Sequence, residues 1–247
     1  MIEVSHITKH FGKTAVLNDI SFTVEHTGIL GLIGYNGAGK TTLLKIMNGI
    51  YRPDDGQVYM DGEPVYENPR VKEQMFLMTE EMYFLPQADL LTMERFYRGY
   101  YPKWSTPLFL RLAELLELDV HRNLSSFSKG MQRQAGLIQA FASSARCLLL
   151  DEVFDGLDLK MRRTMRQLLR LYVQDRKAAV VVTSHNLQEL EILSERIAML
   201  EGEQLVHNFS VAEFMKQGRT LEEIFLQERK EIPDEWEDLF KQGGPVA

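Results

Sequence analysis

The sequence predicts an α/β fold: a layered core with a mostly parallel sheet and a helical insertion in its middle. Three observations carry that prediction. Short apolar runs of strand length alternate with stretches whose apolar residues recur every three or four positions. One run, "SFTVEHTGILGLIG", passes through a glycine-rich turn straight into a helical stretch. From residue 90 to 139 only helical periodicity remains, which marks an inserted helical subdomain at about 88–142.

Taken in order, "MIEVSHITKHF" and "SFTVEHTGILGLIG" have the short, alternating or fully apolar pattern of strands. "GYNGAGKTTLLKIMNGI" reads as a turn and then a helix, with Leu43, Leu44 and Met47 on one face. "RPDDGQVYMDGEPV" reads as turn, strand, turn, strand, because each Asp-Gly pair is a hairpin signal. "QMFLMTEE" is a short buried strand. "LLTMERFYRGYY" and "TPLFLRLAELLELD" have helical spacing. "CLLLDE" and "AAVVVTSH" return to apolar strands, separated by the amphipathic helix "DLKMRRTMRQLLRLYVQ". A helix at "NLQELEILSE" and a hairpin at "RIAMLEGEQLVHNFS" follow. No repeat or low-complexity linker interrupts residues 1–218, which are expected to form one domain. Residues 219–247 are an acidic extension expected to be helical.

The 247 residues, 45% of them hydrophobic, suffice for one large domain or a domain with a subdomain. The net charge of -7 argues against a nucleic-acid partner, since such binders carry a basic face. The single cysteine, Cys147, excludes an internal disulfide and fits a reducing compartment. Beside the apolar run "CLLL" it reads as a small buried hydrophobe, not a nucleophile. The first residues lack the apolar run of a signal peptide. No stretch reaches the roughly 20 apolar residues that a membrane-spanning helix needs. The chain is expected to be soluble and cytoplasmic.

"GYNGAGKT", Gly34 to Thr41, fits G-x-x-x-x-G-K-[ST] between a strand and a helix, the context this motif requires. Glycines let backbone N–H groups curl around phosphate oxygens, and the helix start adds free donors. Tyr35, Asn36, Gly37, Ala38, Gly39, Lys40, Thr41 and Thr42 are therefore candidate nucleotide contacts. Lys40 would reach the β- and γ-phosphates, and Thr41 would hold Mg²⁺. The strand "CLLLDE" ends in two acids at the edge where α/β sheets place their ligands. Asp151 can hold Mg²⁺ directly or through water, and Glu152 can orient or deprotonate an attacking water.

"SSFSKGMQRQAG", residues 125–136, poses a question, because it reads as a second anion-binding helix start far from Lys40. By itself it is a Ser-capped helix. In order along the chain, however, stand the phosphate loop, "SFSKGMQRQ", "LLLDE", "GLD" and "TSH". With these five motifs the chain resembles the ATP-binding subunits of ABC transporters from Met1 to about Ser210. "SKGM" and "FYRGYYPKWS" resemble the bacterial export-type (ABC-2) subgroup.

The resemblance implies a P-loop NTPase (RecA-like) parallel-sheet core, an N-terminal antiparallel β subdomain and the inserted helical subdomain. It also implies ATP and Mg²⁺ as ligands, and a dimer in which each ATP lies between one copy's phosphate loop and the other's signature stretch. Ser128, Lys129 and Gly130 would then face the partner's nucleotide, Asp158 of "GLD" would lie at the interface, and His185 of "TSH" would sense the γ-phosphate. Phe11 stands where an aromatic ring stacks on adenine. Glu80, with Gln87 as the alternative, stands where the family has a glutamine that binds Mg²⁺ or its water. Residues 80–91 would receive a separate membrane subunit, with the homodimer held at the cytoplasmic face of a bacterial membrane.

The chain departs from the family at Met131, which stands for glutamine, and at Val153 and Phe154, which stand for proline and threonine; the latter pair predicts a looser loop after Glu152. The implied function is ATP hydrolysis that powers export of a drug, peptide or lipid. The alternatives are an ABC-type ATPase not coupled to transport and a weakly active regulatory subunit.

Overall fold

The computed structural model describes residues 1–216, 218 and 220–227, so most of the expected acidic extension lies outside the described residues. The chain opens with β1 (Ile2–Phe11) and β2 (Thr14–Val24), an antiparallel pair. β3 (Gly28–Gly34) runs into α1 (Lys40–Met47). β4 (Asp55–Met60) and β5 (Glu63–Pro64) form a hairpin about Asp61 and Gly62, which adopt φ of 53° and 83°. Positive φ at both central residues is what this two-residue turn requires.

α2 (Pro69–Lys72) precedes β6 (Met75–Met78). Three helices follow: α3 (Leu90–Arg98), α4 (Thr106–Leu115) and α5 (Lys129–Ala142). Each starts at a side chain that caps it, namely Asp89, Ser105 and Ser128. Then come β7 (Cys147–Leu150), α6 (Leu159–Arg176), β8 (Ala179–Thr183) and α7 (Leu187–Leu193). β9 (Arg196–Glu201) and β10 (Gln204–Ser210) pair antiparallel, and α8 (Val211–Met215) and α9 (Leu221–Gln227) end the described chain.

Two sheets result. The larger has the order β10-β9-β3-β8-β7-β6, with every neighbouring pair parallel except β10 and β9. The smaller, β2-β1-β4-β5, is antiparallel. Strands β3, β6 and β7 and all of β8 but its last residue, Thr183, are apolar because both faces are covered. Strand alternation divides their side chains between two cores. Leu148, Leu150, Val180 and Val182 join the helical insertion on one side. Cys147, Leu149, Ala179 and Val181 join α1 and the antiparallel sheet on the other. The carboxyl ends of β3, β7 and β8 therefore meet at one edge of the sheet, where Gly34, Asp151 and Ser184 leave it.

Two sequence expectations need correction. The first Asp-Gly pair is not a hairpin turn. Asp55 and Gly56 begin β4, beside a register shift in its pairing with β1. Gly56 has φ 78°, and a Cβ there would lie 2.2 Å from the His6 carbonyl oxygen, so the glycine serves a bulge and close backbone approach. The loop after Glu152 is not loose either. Val153 and Phe154 are fully buried in the core and anchor it.

The "FYRGYYPKWS" stretch is structural. Trp104 stacks on Tyr97 at 6.1 Å between ring centroids, and its indole N–H donates to buried Glu94 at 3.1 Å.

Candidate nucleotide site

The turn between β3 and α1 bounds a cavity of about 310 Å³, lined among others by Asn36, Gly37, Gly39, Lys40, Thr41 and Thr42. Gly39 precedes α1 with φ 88°, and no side chain caps the helix. The first N–H groups of α1 are thus free of a capping side chain, which suits an anion. Lys40 is buried and curls back over the loop, its ammonium donating to the carbonyls of Gly34 (2.7 Å) and Tyr35 (3.1 Å). Burial lowers its pKa below the ordinary lysine value, while Glu152, Asp151 and Glu80 oppose that shift.

Asp151 and Glu152 follow β7, both buried. Thr41 donates its hydroxyl to one Asp151 oxygen at 2.6 Å. The Thr183 hydroxyl donates to the other at 2.7 Å and accepts the Glu152 N–H at 2.8 Å. Glu152 has φ 48°, a left-handed conformation that costs a non-glycine residue about 1–3 kcal/mol. Its Oε2 accepts the His185 N–H at 3.0 Å, and its Oε1 lies 3.4 Å from His185 Nε2 without a hydrogen bond. Burial raises the Glu152 carboxyl above its ordinary value, against the pull of His185 and Lys40.

The cavity thus gathers the loop with Glu80, Glu152 and His185. Glu80 is at the cavity and Gln87 is not among its lining residues. The donors offered to a cation are hydroxyl and carboxylate oxygens, the hard ligands that Mg²⁺ takes. Among the described residues no group of three or more His, Cys, Asp or Glu side chains forms a metal cluster. A Mg²⁺ ion here would therefore draw its remaining ligands from phosphates and water.

Other expected residues lie elsewhere. Phe11 is half exposed, packs edge-on to Tyr51 at 5.7 Å, and does not line the cavity; Val16, missed in the sequence, does. The Tyr35 side chain turns away to α9, where its ring meets Phe225 at 4.3 Å and its hydroxyl donates to the Phe225 carbonyl at 2.9 Å. Ala38 is buried in the core. Ser128 and Lys129 are exposed at the start of α5, and Ser128 Oγ accepts the Met131 N–H at 3.3 Å. Gly130 is buried against Gly156. Asp158 caps α6 by accepting the Met161 N–H at 2.7 Å. None of Ser128, Lys129, Gly130 and Asp158 lines the phosphate-loop cavity of its own chain. Arg133, also missed, is buried and donates to the Thr79 carbonyl at 2.9 Å, beside Glu80.

The model of the family described as "ABC transporter" matches residues 17–155 of this chain, more than half of its length. The chain belongs to the ABC transporter family. It is an ATP-binding, ATP-hydrolysing subunit of a transporter. The ABC transporter ATP-binding protein YtrB of Bacillus subtilis is 30% identical over 217 residues, covering 88% of this chain and 74% of YtrB. The Nod factor export ATP-binding protein I of Burkholderia lata is 32% identical, covering 81% and 67%. The spermidine/putrescine import ATP-binding protein PotA of Legionella pneumophila is 27% identical, covering 81% and 56%. Similarity thus extends to both export and import subunits. Among solved structures, a dimeric ATP-binding cassette, MJ0796, bound to ADP and Pi shares the fold with TM-score 0.77 at 21% identity, over 85% of this chain and 99% of that one. Among the described residues no helix is long and apolar enough to cross a membrane.

Proposed function

We propose that two copies of this chain bind Mg-ATP head to tail, hydrolyse it, and drive export of a drug, peptide or lipid through a separate membrane subunit. The observation that carries this reading is the separation of two half-sites. The phosphate loop, Glu80, Glu152 and His185 share one cavity, with Asp151 buried behind it on the Thr41 hydroxyl, while the exposed Ser-capped start of α5 stands outside it. An uncapped helix start in one copy and an exposed one in the other would enclose the phosphates from both ends.

Each residue then has a role. Lys40 holds the β- and γ-phosphates, and the loop N–H groups from Asn36 to Thr42 cradle them. Thr41 and Asp151, with Glu80 near, would hold Mg²⁺, which would offset the negative charge of the phosphates. Glu152 orients a water and takes its proton, its carboxyl standing beside His185 at the cavity. His185 lies over Glu152 and reads the γ-phosphate. Phe11, half exposed, offers its ring to the adenine. Ser128, Lys129 and Gly130 face the partner's ATP, and Asp158 lies at the interface.

The membrane subunit docks on residues 80–91. Met82, Phe84 and Leu85 pack against the core, so Tyr83, which is exposed, presents the aromatic contact. The export direction rests on the resemblance to the export-type subgroup and on likeness to the Nod factor export subunit. Hydrolysis ends the affinity for the closed dimer, and that difference between ATP and ADP supplies the work.

The test is ATP turnover by the purified chain. Lys40→Ala should abolish binding and turnover, and Glu152→Gln should keep binding while losing turnover. A Glu152→Gln protein that hydrolyses ATP at the unsubstituted rate would remove Glu152 from the chemistry.

A further inference from the structure

We propose that Thr183 is the positioning residue for both carboxylates of the ATP site: its one hydroxyl fixes Asp151 for the metal and Glu152 for the water. The proposal rests on the roles given above to Asp151 and Glu152.

β7 and β8 run parallel in a register that pairs Leu150 with Val182. The next residue on each strand is Asp151 and Thr183, so the two stand side by side. Thr183 is fully buried, where an unpaired hydroxyl is costly. A hydroxyl has one donor and two acceptor lone pairs, and Thr183 uses both kinds here. It donates to Asp151 Oδ1 at 2.7 Å and accepts the Glu152 N–H at 2.8 Å.

The first bond completes a clamp. Asp151 Oδ2 accepts from Thr41 at 2.6 Å, so each oxygen of the carboxylate is held by a different hydroxyl. The plane of Asp151 is thereby fixed against α1, and the lone pairs of Thr41 remain available to a cation. The second bond holds Glu152 in its left-handed backbone conformation of φ 48°. That conformation sets Oε2 on the His185 N–H at 3.0 Å. Without the Thr183 hydroxyl, Asp151 loses one side of its clamp and Glu152 loses the support of a strained backbone.

Packing alone would not need the hydroxyl, since valine has nearly the same shape. Thr183→Val and Thr183→Ser therefore separate the two explanations. Turnover is measured with the affinity for a fluorescent ATP analogue in Mg²⁺ and in EDTA. Thr183→Val should lower kcat by about 10–100-fold, as loss of a supporting hydrogen bond around a metal site does. Its affinity in EDTA should be unchanged, and the gain in affinity on adding Mg²⁺ should be lost. Thr183→Ser should retain both turnover and that gain. The proposal is overturned if Thr183→Val keeps them, or if Thr183→Ser loses as much as Thr183→Val. Should Thr183→Val not fold, Thr183→Ala takes its place against Thr183→Ser, and equal losses overturn the proposal. Asp151→Asn and Glu152→Gln are measured beside them. If Asp151→Asn keeps the Mg²⁺ gain and Glu152→Gln keeps turnover, the reading of the ATP site fails and this proposal fails with it. If Asp151→Asn loses the gain and Glu152→Gln loses turnover while Thr183→Val keeps both, only the Thr183 proposal fails.

Discussion

Gly130→Ala is the substitution that best separates packing from phosphate recognition at the start of α5. A Cβ at Gly130 would lie 2.6 Å from the Gly156 carbonyl oxygen and 3.7 Å from Leu157 Cδ2. The nearer atom is backbone, in a turn held by the buried Val153, Phe154 and Leu157. Reaching an ordinary contact of 3.4 Å requires a move of about 0.8 Å, and overpacking of this kind costs about 1–3 kcal/mol. For a chain of this size that lowers Tm by roughly 2–12 °C. The assay is thermal unfolding without nucleotide, where no phosphate or partner contributes. Lys129→Ala is the control, since Lys129 is exposed; its effect should stay within about 0.5 kcal/mol. A Gly130→Ala protein with unchanged Tm would refute the packing argument and leave phosphate contact as the sole demand for glycine.

Three further outcomes are expected. Gln139 is fully buried in α5 and neither of its side-chain polar atoms has a hydrogen-bond partner. Gln139→Leu should therefore stabilise the protein by about 1–3 kcal/mol in denaturant titration, and a loss of stability would contradict the assignment. Burial pushes the Cys147 thiol from 9.0 up to about 12. The native state keeps a proton that the unfolded chain loses, so this contribution to stability is complete below pH 9 and is lost as pH rises toward 12. Iodoacetamide should label Cys147 only as fast as the protein unfolds; rapid labelling of native protein at pH 8 would refute the burial. Phe225→Ala removes a ring pair worth about 0.5–1.5 kcal/mol from Tyr35, inside the phosphate loop. ATP affinity should fall by at most about tenfold, and an unchanged affinity would show that α9 does not support the loop.

What the sequence made legible was local. The phosphate loop is a contiguous spacing between a strand and a helix, so its place at the end of β3 follows from periodicity alone. The end of β7 with its acids and the end of β8 before His185 are apolar runs with polar terminators, and parallel pairing brings them to one edge. What escaped depends on neighbours across the fold. Asp55-Gly56 has hairpin chemistry, but β1 pairing turns it into a bulge. Val153 and Phe154 depart from the family pattern, yet apolar side chains under that loop bury them. Thr183 is the polar end of "AAVVVT", and its importance appears only with the β7–β8 register. Tyr35 sits inside the phosphate motif but spends its side chain on α9, a contact 190 residues away in the chain.

The central claim is that two copies complete each other's ATP sites. It is tested by sedimentation of Glu152→Gln, which should bind ATP without hydrolysing it, with and without Mg-ATP. The account predicts a doubled mass only with Mg-ATP, and a return to monomer when Ser128→Arg is added. A protein that binds ATP and stays monomeric would contradict it.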